Sequence, residues 1–241
     1  MTGRLIGVGT GPGDPELLTL KAVRALGQAD VVAHFAKEGR NGNARATVEG
    51  LLRPGVEELA LRYPVTTEVP RHEPGYSVAI NDFYARSAAA VEERLKAGRT
   101  VAVLSEGDPL FYGSYMHLHV RLAPRYQAEV IPGVTAMSGS WSQAGLPLAQ
   151  GDEVLSVLPG TLSEAELVRR LGQCEAAVIM KVGRNLPKVR AALRAAGKLS
   201  RAVYVERATM AATSAVRLAE KPDDRAPYFS LVLVPGWEGR P

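Results

Sequence analysis

One cysteine stands in 241 residues. Cys174 therefore has no intrachain disulfide partner, which points to a reducing, cytoplasmic setting. In LGQCEAA, just ahead of an apolar run, it reads as a small buried residue rather than a nucleophile. Aromatic residues make up only 6% of the chain, and no Lys/Arg block interleaves with them. A formal net charge of +4 is mild, so a nucleic-acid partner is not expected. No apolar run approaches the ~18 residues of a membrane helix, so no membrane partner is expected. The start, MTGRLIGVGTG, reads as a strand and lacks the apolar stretch and cleavage site of a secretory signal. His117 and His119 lie two apart in a helical stretch, on different faces, which does not suit a shared metal. No metal is expected. There is no internal repeat and no low-complexity tract.

What is present is the composition of a globular protein, 46% hydrophobic and 22% charged, arranged as alternating strands and helices. Strands are expected at Arg4–Val8, Asp30–Phe35, Val56–Leu61, Thr100–Leu104 and Ala128–Ile131. Helices are expected at Pro15–Gln28, with Asp14 as its cap, at Arg45–Leu52, at Ser77–Ala97 and at Tyr115–Leu122. The second half has a different texture. Val154–Leu158, Ala177–Val182 and Ala202–Glu206 read as strands, with helices at Ser163–Leu171 and Leu186–Ala196. Ser214–Leu218 and Tyr228–Val234 follow with no helix between them, which suggests hairpin pairing. Arg217–Pro227 reads as an exposed loop. The first half thus reads as a mostly parallel α/β layer and the second as a mixed α+β layer. The joint is placed near residue 122, giving domains 1–122 and 123–241.

Gly7 to Pro15, GVGTGPGDP, holds four glycines and two prolines and leads into a helix. A Walker loop needs Gly-Lys-Ser/Thr, which is missing here. A dinucleotide fingerprint needs a third glycine where Pro12 stands, and Pro12 also removes a backbone donor. Asp14 and Glu16 would compete for the positive helix end that an anion wants. The turn suits a neutral or cationic ligand, or no ligand at all. It is not isolated. SEGDPLFYG follows a second buried strand and IPGVTA a third. In an open parallel sheet such turns share the carboxyl edge, where ligands bind. Gly107 and Gly133 would let backbone come close to a ligand. Asp108 suits either an ammonium group or a local turn cap.

GVGTGPGDPELLTLKAVRAL, SEGDPLFYG and IPGVTA, followed in order by MKVGRN and VERATM, resemble the tetrapyrrole methylase family over nearly the whole chain. The resemblance implies two α/β domains with a trough between them, usually in a homodimer. It implies S-adenosylmethionine as methyl donor, S-adenosylhomocysteine as product, and an acidic tetrapyrrole as substrate. Carried over by motif, the donor-binding residues would be Pro12, Glu106, Gly107, Asp108, Phe111, Thr135 and Ala136, with Met180 and Ala208 from the second domain. AKEGRNGNAR, LRYPVTTE and INDFYARSAAAVEERL resemble the branch that methylates precorrin-2 at carbon 20 to give precorrin-3A. Methylation of another tetrapyrrole, cobalt-factor II or uroporphyrinogen III, is the alternative. Some uroporphyrinogen methylases carry an aspartate base near the end of the second strand. Here Phe35 stands about there in AHFAKEG, so no base is carried over.

A sulfonium donor is already activated, so alignment and exclusion of water would do most of the work. Good positioning contributes ~7–11 kcal/mol, and no protein nucleophile is needed. A proton must leave the methylated ring. The candidate bases are His34, His72, Glu106 and Tyr112, with solvent as a rival. The substrate's carboxylates call for cations on loops. Lys37, Arg40, Arg45, Arg71, Lys181 and Arg184 are the candidates. Rival readings are a non-catalytic sensor of S-adenosylmethionine or a tetrapyrrole, and a nucleotide-binding Rossmann protein.

Overall fold

The computed structural model describes residues 3–64 and 76–236. Arg71, His72 and the Val65–Glu68 end of LRYPVTTE lie outside them. The chain divides into two compact units, Met1–Thr135 and Ala136–Pro241.

The first unit holds a five-stranded sheet of β1 (Arg4–Gly9), β2 (Val31–Ala36), β3 (Glu57–Arg62), β4 (Thr100–Ser105) and β5 (Gln127–Ile131). The order is β3-β2-β4-β1-β5, and every pairing is parallel. The central strands β1 and β4 are buried from their second residue onward, as near-continuous apolar runs should be when both faces are covered. Alternate side chains serve opposite layers. Leu5, Val101 and Val103 join Phe83, Val91 and Leu95 of α3 (Tyr76–Lys96) and Leu118 of α4 (Tyr115–Leu122). Ile6, Val8 and Leu104 join Leu26 of α1 (Leu20–Gln28) and Ala44 of α2 (Asn43–Thr47).

That division of helices fixes where the sheet can open. The connections through α1 and α2 run over one face, and those through α3 and α4 over the other. The neighbours β1 and β4 therefore send their chains to opposite faces. Their carboxyl ends form the topological switch point, where open α/β sheets leave a crevice.

The structure corrects three expectations in this unit. Helix does not begin at Pro15: Pro15–Leu17 is a short 3-10 turn, and α1 starts at Leu20 behind a Thr19 cap whose Oγ1 accepts from Ala22 N at 3.1 Å. The late start shifts the helical phase. Ala22, Ala25 and Leu26 face the core, while Leu20 is left 78% exposed. Arg45–Leu52 is likewise not one helix, because α2 ends at Thr47 and a 3-10 turn follows at Glu49–Leu51. The boundary falls at Thr135 rather than residue 122, because β5 pairs with β1 and so completes the first sheet.

The second unit opens with α5 (Ala136–Gln143) and holds β6 (Leu155–Pro159), β7 (Ala176–Met180), β8 (Val203–Glu206), β9 (Ser214–Arg217) and β10 (Ser230–Val234). The sheet is mixed, in the order β6-β7-β10-β8-β9. Helices α6 (Glu164–Leu171) and α7 (Leu186–Ala195) cover one face through Leu167, Leu171, Val189 and Leu193. Met137 and Trp141 of α5 pack on the other, against Val178, Val205 and Leu231. The expected hairpin of the last two strands does not form. β9 pairs with β8, while β10 inserts between β7 and β8, antiparallel to both. Nor is Arg217–Pro227 simply an exposed loop. Leu218 is buried, and the Arg190 guanidinium donates to the carbonyls of Leu218 at 2.5 Å and of Lys221 and Asp223 at 3.2 Å each. Cys174 is buried, as expected.

Candidate functional site

Three of the glycine turns meet at the switch point. β1 runs level with β4, Gly9 opposite Ser105, and with β5, Val8 opposite Ile131. The chains then continue past the sheet edge in contact. Thr10 N donates to Ser105 O at 2.9 Å, and Thr10 Oγ1 donates to the same oxygen at 3.2 Å. Gly11 and Gly107 exchange a pair of backbone bonds, Gly107 N to Gly11 O at 2.8 Å and Gly11 N to Gly107 O at 3.3 Å. Both residues are left-handed, with φ of +74° and +64°, which is why glycine stands at each. A Cβ added at Gly9 would lie 2.5 Å from Gly133 N and 2.8 Å from Gly107 O. The close approach for which these glycines are needed is thus to one another, not to a ligand in the first instance.

Asp108 completes the knot. Its Oδ1 accepts from Leu110 N at 2.9 Å, an Asx turn, and its Oδ2 accepts from Gly133 N at 3.2 Å. Both carboxylate oxygens are engaged by backbone N–H groups, so Asp108 acts as a structural clamp between the β4 and β5 turns. Asp14 has the same kind of task, since its Oδ1 accepts from Glu16 N at 2.9 Å. The two acids of the first turn therefore stand at a 3-10 turn, not at the end of a long helix. Their competition with an anion for a helix dipole does not apply.

Glu106 differs. It is the first residue beyond β4, and its side chain is exposed. One carboxylate oxygen accepts from Asn43 Nδ2 at 3.0 Å. Desolvation by the surrounding protein pushes its carboxyl above the usual range, and the Asn43 bond acts in the opposite direction. It sits recessed among protein atoms without being sealed from water. Asn43 is a residue that sequence reasoning missed. The only signal was its place in NGNAR, at the start of α2 in the connection that follows β2.

His34 is buried on β2, one layer below this edge. Desolvation lowers its pKa, and the Arg45 and Arg62 charges add to that, while Glu58 and a backbone bond of Phe35 oppose it. Arg45 forms a two-pronged pair with Glu58, Nε to Oε2 and Nη2 to Oε1 at 2.9 Å. The guanidinium raises its own pKa by that bond and holds the Glu58 carboxyl below the usual range. Arg45 therefore already has a carboxylate of its own; Lys37 and Arg40 lie on the exposed turn after β2. Pro12 and Phe111 are half-buried on the first and second turns. Tyr112 meets the Phe111 ring edge-on at 4.8 Å between centroids and is left-handed, φ 54°. Thr135 ends the third turn and Ala136 begins α5.

A hydroxyl cluster, also missed from sequence, supports the end of the β4 turn. Ser114 Oγ lies 2.5 Å from Tyr63 Oη and 3.0 Å from Tyr84 Oη. It stands where a helix cap would act, yet it makes no capping bond to α4. His117 stacks on Tyr84 at 3.9 Å, and His119 Nδ1 lies 3.2 Å from Tyr115 Oη. The two histidines have separate partners, and among the described residues no cluster of His, Cys, Asp and Glu could hold a metal.

In the second unit β6, β7 and β8 are mutually parallel, so their carboxyl ends share an edge. Met180 ends β7 and Ala208 lies just beyond β8 on that edge. Lys181 (φ 56°), Arg207 (φ 48°) and Thr209 (φ 63°) flank them in left-handed conformations, unfavourable for residues with side chains and most of all for β-branched threonine. Such strain concentrates at ligand-handling turns. Lys181 and Arg184 are exposed there.

The model for tetrapyrrole (corrin/porphyrin) methylases matches residues 4–221. The chain is 72% identical over 239 residues to a precorrin-2 C(20)-methyltransferase from a Sinorhizobium species, covering 99% of this chain and 98% of that one. It is 32% identical to the cobalt-precorrin-2 C(20)-methyltransferase of Salmonella typhimurium, with 97% of each chain covered. Among solved structures, uroporphyrin-III C-methyltransferase from Thermus thermophilus in complex with S-adenosylhomocysteine superposes with a TM-score of 0.63 at 28% identity, covering 96% of this chain and 97% of that one. A family model that spans most of the chain, a full-length relative and a shared two-unit fold place this chain in the tetrapyrrole methylase family.

Proposed function

We propose that the protein transfers a methyl group from S-adenosylmethionine to carbon 20 of precorrin-2 in cobalamin biosynthesis, giving precorrin-3A. The observation that carries the choice of donor is the state of the three glycine turns. The N–H groups of Thr10, Gly11, Gly107 and Gly133 are all taken up by partners within the turns. A phosphate-binding loop must leave such groups free, so these four offer a nucleotide phosphate no donor. A sulfonium donor with an amino-acid head needs no phosphate cradle. The residues present thus fit the donor. Pro12, Phe111, Thr135 and Ala136 would hold it, on turns whose shape Gly107 and Asp108 fix. When bound, the donor supplies a methyl group already activated by its sulfonium.

The protein's own part is placement. The turns are tied to β1, β4 and β5 by backbone bonds rather than by flexible side chains, which suits them to fix the distance and angle of attack. Such alignment contributes ~7–11 kcal/mol toward the barrier. Lys37 and Arg40, on the exposed turn after β2, would meet the substrate's carboxylates. The substrate choice is supported by the relative at 72% identity over the full chain. The lower identity to the cobalt-precorrin-2 methyltransferase favours the metal-free ring. We also propose a cytoplasmic homodimer. Among the described residues no helix is long and apolar enough to cross a membrane.

The test is incubation of the purified protein with S-adenosylmethionine and metal-free precorrin-2, with the new methyl located by NMR. Methylation at carbon 20, faster than on the cobalt-bearing ring, is expected. Release of S-adenosylhomocysteine without a methylated ring, or methylation at another carbon, refutes the assignment. Sedimentation velocity tests the dimer.

A further inference from the structure

We propose that Glu106 is the base that takes the carbon-20 proton from the methylated ring, held for that role by Asn43. This rests on the methyl transfer to precorrin-2 proposed above and adds the residue that completes it. In the reaction a ring π pair forms the new carbon–carbon bond while the methyl–sulfur bond breaks and its pair stays on sulfur. The ring then bears one positive charge and carries both hydrogen and methyl on carbon 20. The Glu106 carboxylate accepts that hydrogen as a proton, the C–H pair returns to the ring, and the carboxyl later passes the proton to water.

Placement and availability single out this residue. Glu106 is fixed from both sides, by the β4 ladder at Ser105 opposite Gly9 and by the Gly107–Gly11 bridge. Its main chain is thereby held at the β1/β4 switch point, and Asn43 anchors the carboxylate there. On the β4 turn the other acid, Asp108, has both oxygens engaged by backbone N–H groups. Glu106 gives one oxygen to Asn43 Nδ2, and among the described residues the other has no hydrogen-bond partner or ion pair. A carboxylate with one oxygen anchored and one free has a defined direction and an open site for a proton. Partial desolvation by the surrounding protein favours the neutral acid and raises its basicity above that of a fully solvated glutamate. The rival His34 is buried beneath the edge beside the Arg45–Glu58 pair, where a ring carbon has no access. Tyr112 sits farther along the turn, packed on Phe111.

The test uses Glu106→Gln, which keeps the acceptor for Asn43 but removes the basic oxygen, and precorrin-2 carrying deuterium at carbon 20. Turnover should fall by about 100-fold or more, with the affinity for S-adenosylhomocysteine by calorimetry unchanged. A primary deuterium isotope effect should appear or grow as proton removal becomes limiting. In Glu106→Ala, added formate should restore part of the rate. Wild-type turnover in Glu106→Gln overturns the inference and leaves water as the base. A parallel loss of S-adenosylhomocysteine affinity also overturns it, because Glu106 would then be holding the donor. If the wild-type protein itself moves no methyl to precorrin-2, the preceding reading fails instead.

Discussion

Replacing Gly9 by alanine adds one methyl group at the point where three turns touch. In the structure the new Cβ would lie 2.5 Å from Gly133 N, 2.7 Å from Gly133 Cα and 2.8 Å from Gly107 O. Ordinary contacts between such atoms fall at about 3.5–4.0 Å, so each is roughly an ångström too close. All three neighbours are backbone atoms, so no side chain can rotate out of the way. Relief requires β1 to part from the β4 and β5 turns, which would stretch the Gly11–Gly107 bridge and the Asp108–Gly133 bond. Overpacking typically costs ~1–3 kcal/mol, and a backbone-only clash belongs at the upper end. For a chain of this size ~3 kcal/mol lowers the melting temperature by about 6–12 °C. S-adenosylhomocysteine affinity, measured by calorimetry below the transition, should fall as well. Gly27→Ala is the control. Gly27 lies in α1 with nothing within 4 Å of an added Cβ, and alanine there should stabilise by about 0.5–1 kcal/mol. A Gly9→Ala protein that melts with the wild type and binds S-adenosylhomocysteine equally well would refute the mutual packing of the turns.

Asp108→Asn retains one acceptor but presents an amide NH2 to one of the two N–H groups that the carboxylate now serves. About 1–3 kcal/mol of stability should be lost, with weaker S-adenosylhomocysteine binding, and wild-type values for both would show that the clamp is dispensable. The depressed pKa of buried His34 makes a pH prediction. As pH falls through about 6.5, the unfolded chain takes up the proton before the folded one, so stability present above that value declines toward the lower folded pKa. His34→Gln should flatten this decline in denaturant titrations between pH 7 and 5, in about that window. It should not abolish it, because His117 is shifted in the same direction. An unchanged slope would mean that His34 is not desolvated. Cys174 should react with a thiol reagent only at the rate of unfolding, since it is buried, and rapid labelling of the folded protein would contradict that burial.

Much of the architecture was legible in the chain. Unbroken apolar runs such as VAVLS, each ended by a glycine turn, imply strands covered on both faces and joined by helices. That is a property of local patterning, and the parallel first sheet and mixed second sheet follow it. The rejection of phosphate was also readable, from Pro12 and the missing Gly-Lys-Ser/Thr, although the helix-dipole part of that reasoning failed when α1 began at Leu20. What one dimension could not supply was the identity of partners. Gly9, Gly107 and Gly133 signal close approach, but only strand order shows that they approach each other. Asp108 signals a cap or a ligand contact, and only the nearness of Gly133 decides for the clamp. Arg45 signals a free cation until Glu58 is found beside it on the neighbouring strand. The insertion of β10 between β7 and β8, and the passage of β5 into the first sheet, likewise depend on pairing between distant segments. Periodicity, turn chemistry and capping act within a few residues and leave a trace in the string. Contacts such as Thr10 to Ser105, or Asn43 to Glu106, join residues far apart in sequence, and the layered packing of the whole sheet is what brings them within reach.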